Sequence, residues 1–362
     1  MTRPTCIHIQ LDRLVHNFHL ARQLHGGRVL AVVKANAYGH GDVACAQALA
    51  PFADGFAVAS VQEALRLREA GVEHRIVLLE GIFGADEMEA VVSHRLTPVI
   101  HDFWQVDALQ QIPSGTTIPA WLKLDTGMHR LGFMPETLLQ AFEALKRSGR
   151  VSGITLMTHF ANADVAVPGV LDDPLRRFRQ AQQELPPMET SLCNSGALLG
   201  HPEAHGDWAR PGLMLYGVDP AEPGIRARTP LQPVMRFVSE ISAVRTIAAG
   251  ESVGYGSRFK ATRTTRVGVV PCGYADGYPR STPDGTPVAV GEGIAPLIGC
   301  VSMDMITVDL TDLPAARVGT PVELWGDRVA VSTVASAAGT VAYELLCQAR
   351  RAQIETHPAT RS

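Results

Sequence analysis

Short apolar runs alternate with amphipathic stretches at a steady interval through the N-terminal part of the chain, and few folds accept that rhythm. Residues 4 to 10 read as a strand. Residues 11 to 25 place Leu11, Leu14, Val15, Phe18, Ala21 and Leu24 at helical spacing before Gly26 and Gly27 stop the helix. Val29 to Val33 reads as a short, fully buried strand. Gly55 to Ala59 follows, and Ser60 with Glu63 forms a capping box that opens a helix ending near Gly71. Ile76 to Leu79 is a strand, residues 84 to 92 a helix, and Leu96 to Ile100 a strand with a helix from about 103. Ala120 to Leu124, Ile154 to Thr158 and Ser191 to Cys193 supply later strands. Strands that alternate with helices pair in parallel, and about eight such units predict an α/β fold, a (β/α)8 barrel of the TIM type.

The rhythm breaks near residue 231. Short β-rich runs follow, such as Val267 to Val270, Val288 to Val290 and Ile306 to Val308, punctuated by Gly, Pro and Asp. They predict a second, mainly antiparallel β domain. The domains are expected at 1–230 and 231–362, with the Pro- and Gly-bearing stretch 219–230 as the boundary and residues 1–10 as a strand joining the C-terminal domain.

The 362 residues are 46% hydrophobic and 19% charged, the balance of a globular chain with a sizeable core. A net charge of -4 argues against nucleic acid or an anionic membrane as the main partner and leaves small molecules. The first residues, MTRPTCIHIQLDRL, lack the apolar core of a signal peptide, and no apolar run approaches the roughly 18 residues that span a bilayer. A cytoplasmic location is expected. Six cysteines, at positions 6, 45, 193, 272, 300 and 347, form no C-x-x-C pair and read as reduced, buried thiols. His16 with His19, and His201 with His205, lack the further donors that zinc needs, so no metal is expected.

Lys34 follows the strand Val29 to Val33, at the carboxyl end where a parallel barrel carries its chemistry. There a partly desolvated amine, its pKa brought down from about 10.4, can attack a carbonyl and form a Schiff base. The same position also suits a lysine that snorkels to solvent. Tyr38 sits one helical turn on, and Gly39 and Gly41 allow close backbone approach.

The stretch AVVKANAYGHG at 31–41 resembles the pyridoxal-phosphate lysine motif of the alanine racemase family. Matches to the same family follow in order: LKLDTGMHRLG at 122–132, MTHFANAD at 157–164, CNSGA at 193–197 and WARPGLMLYG at 208–217. Beyond them come VGYGSRF at 253–259, GYADGYPR at 273–280, VSMDM at 301–305 and PVELWG at 321–326. The resemblance implies a fold-type III enzyme with pyridoxal 5'-phosphate. Its reaction would interconvert L- and D-alanine by two-base α-proton transfer on the external aldimine. It also implies a barrel followed by a β domain, and a head-to-tail homodimer with shared active sites.

Residue by residue, the resemblance makes Lys34 the cofactor lysine and the base for one face of the substrate, with Tyr255 of the other subunit serving the opposite face. Tyr38, Ser195, Gly212, Leu213 and Tyr343 match the family's phosphate cradle, and Asn194 is also implied to bind the cofactor. Arg210 matches the arginine that faces the pyridine nitrogen, where a permanently charged guanidinium disfavours protonation of the ring. His159 matches the residue near the ring that supports Arg210. Arg130 is implied to bind the substrate carboxylate, and Lys123, often carbamylated in relatives, to orient it. Met303 is implied to contact the substrate and Asp304 to support the site, while Asp164, Tyr274 and Arg280 match positions along the access corridor. Cys300 departs from the pattern, since many relatives carry arginine there, and the outer gate is expected to differ.

On residue type alone, Ser195 also reads as a helix N-cap, Tyr343 as a core aromatic, His159 as an ordinary hydrogen-bonded histidine and Tyr255 as an aromatic in a glycine-rich turn. Three other functions fit a lysine at a barrel strand end. A decarboxylase of related fold would keep an acidic partner for the pyridine nitrogen, a place where this chain offers Arg210. A carrier that only binds the cofactor would have no use for Tyr255, and a Schiff-base aldolase would lack the visible absorbance band of a bound aldimine. The implied physiological role is either D-alanine supply for the cell wall or alanine catabolism.

Overall fold

The computed structural model describes residues 3–165, 167–221, 230–349 and 352–359. β1 (Cys6–Gln10) runs directly into α1 (Leu11–His25), which ends on Gly26 in the left-handed conformation. The buried face of α1 holds Leu11, Leu14, Phe18 and Ala21 as the spacing predicts. Leu24 is exposed, and Asn17 takes an interior place instead. An asparagine is tolerated there because its amide is saturated. Nδ2 donates to the carbonyls of Leu215 and Gln232, and Oδ1 accepts from the Gln232 N–H. Asn17 thereby ties α1 to the chain as it leaves the barrel.

The barrel consists of β2 (Arg28–Val32), β3 (Gly55–Val58), β4 (Ile76–Leu78), β5 (Leu96–Ile100), β6 (Ile118–Lys123), β7 (Val151–Met157), β8 (Thr190–Ser191) and β9 (Trp208–Ala209). Neighbours from β2 to β8 pair in parallel, and β9 pairs with β2. Side-chain bonds complete the turn between β8 and β9: Asp207 accepts from the Thr190 N–H at 2.7 Å, and the Ser191 hydroxyl donates to the Trp208 carbonyl at 2.8 Å. β9 has only two residues, too few for a period, so sequence reading does not detect it. The helix expected at 84–92 spans Glu87–Ser93.

Ser60 caps α2 (Val61–Glu69), its hydroxyl accepting from the Glu63 N–H. The carboxylate of Glu63 does not return to the cap. It accepts from the N–H of Ala59 at 2.7 Å and of Ala35 at 2.8 Å, so it braces the turn that follows Lys34.

Ten further strands follow: β10 (Met235–Glu240), β11 (Ala243–Ile247), β12 (Ser252–Val253), β13 (Phe259–Lys260), β14 (Thr265–Val270), β15 (Pro287–Val290), β16 (Gly293–Pro296), β17 (Ile306–Asp309), β18 (Pro321–Trp325) and β19 (Gln353–His357). They form a six-stranded sheet of order β16-β15-β18-β10-β1-β19, a three-stranded sheet β11-β14-β17 and the pair β12-β13. All pairings are antiparallel except β1 with β19. Trp325 anchors the larger sheet, with Phe237 edge-on at 4.7 Å and Tyr278 stacked at 6.1 Å. Of the stretch 219–230, residues 222–229 lie outside the described residues. No helix of the described residues is long and apolar enough to cross a membrane.

The two parts meet where Gly39 lies against α3 (Ala342–Gln348). Gly39 has φ +83, and a Cβ there would sit 2.2 Å from the Leu346 carbonyl oxygen. Gly39→Ala combines left-handed strain with a backbone clash, and a loss of about 2–4 kcal/mol is expected from these mechanisms in urea denaturation. The helix carrying Tyr343 should be displaced as well, visible as a changed near-ultraviolet circular dichroism spectrum.

Candidate active site

A cavity of about 720 Å³ opens at the carboxyl ends of the barrel strands. Lys34 stands at its wall directly after β2, one-third exposed, with Nζ 4.0 Å from the carboxylate of Glu80 beyond β4. The lysine is therefore paired and half-open, neither fully desolvated nor free in solvent. Glu80 escaped sequence reading, although its place just past a barrel strand was a usable signal.

The turn after Lys34 is helical but of the opposite hand. Ala35, Asn36, Ala37 and Tyr38 have φ of 54°, 55°, 52° and 53°. For L-residues this hand costs roughly 1–2 kcal/mol each, and only asparagine among these four tolerates it readily. The surroundings over-determine it. Glu63 holds the Ala35 N–H, the Asn36 side chain accepts from the Asp42 N–H at 3.0 Å, and the Tyr216 hydroxyl donates to the Val32 carbonyl at 2.8 Å. The turn carries Tyr38 inward against Tyr216, 4.8 Å between rings, and towards Tyr343 at 5.8 Å.

The Tyr38 hydroxyl ends beside Gly212, where any Cβ would lie 2.4 Å from it. Gly212 and Leu213 begin the short 3-10 turn Leu213–Tyr216, so their N–H groups have no intrahelical acceptor. The Ser195 hydroxyl accepts from the Gly212 N–H at 2.9 Å and from the Met214 N–H at 3.3 Å. Ser195 is not the cap of its helix. Asn194 takes that place, its side chain accepting from the Ala197 N–H, and Ser195 is the first helical residue. Tyr343 lines the same pocket and is partly exposed, so it is no core aromatic. Tyr38, Ser195, Gly212, Leu213 and Tyr343 thus line one part of the cavity together.

Four cations converge on the cavity: Lys34, Lys123, Arg130 and Arg210. Arg210 is buried, and burial draws its guanidinium down to about 10, so it remains charged at neutral pH. Its terminal nitrogens donate to the Ser191 hydroxyl at 2.5 Å and to the carbonyls of Thr158 at 2.6 Å and Leu192 at 3.2 Å. None of these partners is an acid. His159 makes no hydrogen bond to Arg210; its neighbouring carbonyl at Thr158 does. Burial, reinforced by Arg210 and Lys123, holds the His159 imidazole well below its ordinary pKa, so it is neutral. Lys123 is also buried and has no ion-pair partner among the described residues. Burial first, and then Arg210 and Arg130, bring its amine down to about 8.

The other predicted residues lie elsewhere. Asp164, half-buried, follows β7. Tyr255, 71% exposed, and the exposed Met303, Tyr274 and Arg280 stand on the C-terminal domain, outside the cavity of their own chain. Tyr274 and Met303 are on abutting loops, since the Ser302 carbonyl accepts from the Tyr274 N–H at 3.0 Å and the Met303 carbonyl from the Ala275 N–H. Gly254, before Tyr255, faces Cys300. The Asp304 carbonyl accepts from the Arg3 guanidinium at 2.9 Å.

Residues 9–220 match the profile of the alanine racemase N-terminal domain, and residues 234–356 that of the alanine racemase C-terminal domain. The chain belongs to the alanine racemase family. It is 54% identical to the alanine racemase of Azoarcus sp. (strain BH72) over 96% of this chain and 98% of that protein. The biosynthetic alanine racemase of Pseudomonas aeruginosa superposes with a TM-score of 0.95 at 44% identity, over 98% of this chain and 100% of the other. The alanine racemase of Bartonella henselae, solved with covalently bound pyridoxal phosphate, superposes with a TM-score of 0.90 at 29% identity, over 98% of this chain and 100% of the other. In this member of the alanine racemase family, Lys34, Ser195 and Gly212 all line the barrel cavity.

Lys123 makes the charge of this site measurable. Its folded pKa of about 8 lies below the ordinary 10.5, so folding penalises the ammonium form. That penalty, on the order of 3 kcal/mol at full strength, is present below about pH 8 and fades as the pH rises towards 10.5. Lys123→Met in carbonate-free buffer should therefore be more stable than the parent near pH 7, and the difference should shrink as denaturation is repeated up to pH 10.

Proposed function

We propose that this chain is a pyridoxal-phosphate-dependent racemase that interconverts L- and D-alanine, acting as a homodimer. The single observation that carries the reading is Lys34 at a barrel strand end, facing an oxyanion cradle across a cavity lined by four cations. The residues fit the cofactor. Lys34 supplies the amine for its covalent attachment, while Tyr38, Ser195, Tyr343 and the N–H groups of Gly212 and Leu213 offer donors to a phosphate. The absence of a side chain at Gly212 leaves the room that a Cβ would fill. When bound, the cofactor's ring accepts the electron pair left behind by the α-proton.

The protein's own groups perform the rest. Arg130, exposed at the cavity wall, offers a guanidinium to the substrate carboxylate. Arg210 presents a fixed positive charge that no acid offsets, which separates this site from a decarboxylase needing an acidic partner. Lys123, as a neutral amine near pH 8, is the form that reacts with carbon dioxide, and the resulting carbamate anion would offset Arg130 and Arg210.

Racemisation needs proton carriers on both faces of the α-carbon. Lys34 serves one. Tyr255, exposed on the C-terminal domain as Met303 and Tyr274 are, serves the other from the partner subunit. Asp164, Tyr274, Arg280 and Asp304 are assigned to the access route and its support. The six cysteines form no disulfide among the described residues, which suits a reducing cytoplasm, where D-alanine is made for the cell wall.

Borohydride reduction followed by peptide mapping should place the cofactor on Lys34; a label on another lysine would overturn the assignment. Mixing Lys34→Ala chains with Tyr255→Phe chains tests the shared site. Each parent should be nearly inactive, and random exchange should restore about a quarter of wild-type sites, because half the dimers are hybrids with one intact site. Unrestored activity after verified subunit exchange would put both groups in one chain.

A further inference from the structure

The first and last strands of the chain bring together four side chains that the racemase reaction does not use. β1 and β19 pair in parallel, with His8 opposite Glu355 and Gln10 opposite His357. Cys6 and His8, two residues apart on a strand, share one face of the sheet. On that face the His8 Nδ1 lies 3.0 Å from His357 Nε2 and 3.3 Å from the Glu355 carboxylate. Donor atoms of Cys6, His8 and Glu355 all fall within 4.8 Å of one another. None of the four residues lines the active-site cavity.

We propose that Cys6, His8, Glu355 and His357 form a binding site for a divalent transition metal of the zinc class, joining the N-terminal strand to the C-terminal edge strand. The donor set of one thiolate, two imidazoles and one carboxylate is of borderline softness and suits zinc over magnesium or calcium. Metal–nitrogen bonds of about 2.0–2.1 Å and a metal–sulfur bond of about 2.3 Å place tetrahedral donors roughly 3.3–3.7 Å apart. The two separations at His8, 3.0 Å and 3.3 Å, lie near that range, and His357 closes the shell by turning towards Cys6 and Glu355. On binding, the Cys6 thiol gives its proton to solvent and the metal takes that place. The nearest fixed cation, Arg236 opposite His8 on β10, is engaged by Asp327 at 3.1 Å and Glu323 at 3.6 Å.

Among the described residues β19 is the edge of its sheet and has β1 as its only strand partner. A metal bridging the two would therefore anchor that edge without altering the racemase site. Sequence spacing hides the site, because the two donor pairs are separated by nearly the whole chain.

The test uses chelator-treated, full-length holoenzyme titrated with Co²⁺ and read as difference spectra, with Zn²⁺ competition and thermal unfolding alongside. Wild type should take up one equivalent per chain with the intense visible bands of a tetrahedral site and a thiolate-to-cobalt band, and Zn²⁺ should displace it. Cys6→Ser should lose the thiolate band, and His357→Ala should weaken binding at least tenfold. Zn²⁺ should raise the unfolding midpoint of wild type by several degrees and leave that of a His8→Ala/His357→Ala double variant unchanged. Racemisation should be unaffected in all variants. A tight site whose spectrum survives Cys6→Ser, or whose affinity survives His357→Ala, would place the metal elsewhere. Failure of wild type to bind one equivalent would refute the site outright.

Discussion

The active site depends on a reversal of helical hand immediately after Lys34. A right-handed turn from the same strand end would project Tyr38 on a different bearing, away from Gly212 and Tyr343. The left-handed turn points it into the cradle instead, while Lys34 stays at the cavity wall. Three of the four residues in that turn gain nothing intrinsic from φ near +50°, so the strain is carried by neighbours. Glu63 from α2, the Asn36 side chain and the Tyr216 hydroxyl each satisfy a polar group that the reversal would otherwise strand. These contacts come from separate elements, which makes the geometry of Lys34 a property of the assembled barrel.

The second constraint is charge. Four cations line one cavity, while the acid nearest in sequence to Lys123, Asp125, spends its carboxylate on the N–H groups of Gly127 and His129. Arg210 is anchored by neutral oxygens only. Such a site is costly in isolation and becomes favourable when anions enter it, because desolvated positive charge is repaid by phosphate and carboxylate. Burial, reinforced by this field, keeps His159 neutral and depresses Lys123, so both perturbed groups follow from packing cations into one desolvated cavity.

The C-terminal domain contributes in a different way. Its sheets bury their apolar faces around Trp325, yet Tyr255, Met303 and Met305 are left exposed. Exposed large side chains gathered on abutting loops are poor in a monomer and useful at an interface. Tyr343 belongs to the same part of the chain but reaches the barrel cavity from the helix that meets Gly39.

Much of this was legible in the sequence. The strand–helix rhythm specified a parallel barrel because periodicity is local, and the family motifs located Lys34, Arg210, Gly212 and Ser195 because glycine and charge in fixed spacing leave a readable trace. Boundaries and partners were not legible. The two-residue β9 is too short for a period, the buried face of α1 exchanged Leu24 for Asn17 to satisfy backbone carbonyls, and Glu63 served a turn instead of its own cap. What the sequence by itself determined was the order of elements and the chemical types at their ends, since these depend on neighbours along the chain. Only the tertiary structure decided the hand of the turn after Lys34, the ion pair with Glu80 and the meeting of Cys6 and His8 with Glu355 and His357. Each of those is set by contacts between residues remote in sequence, whose closure in space no local pattern encodes.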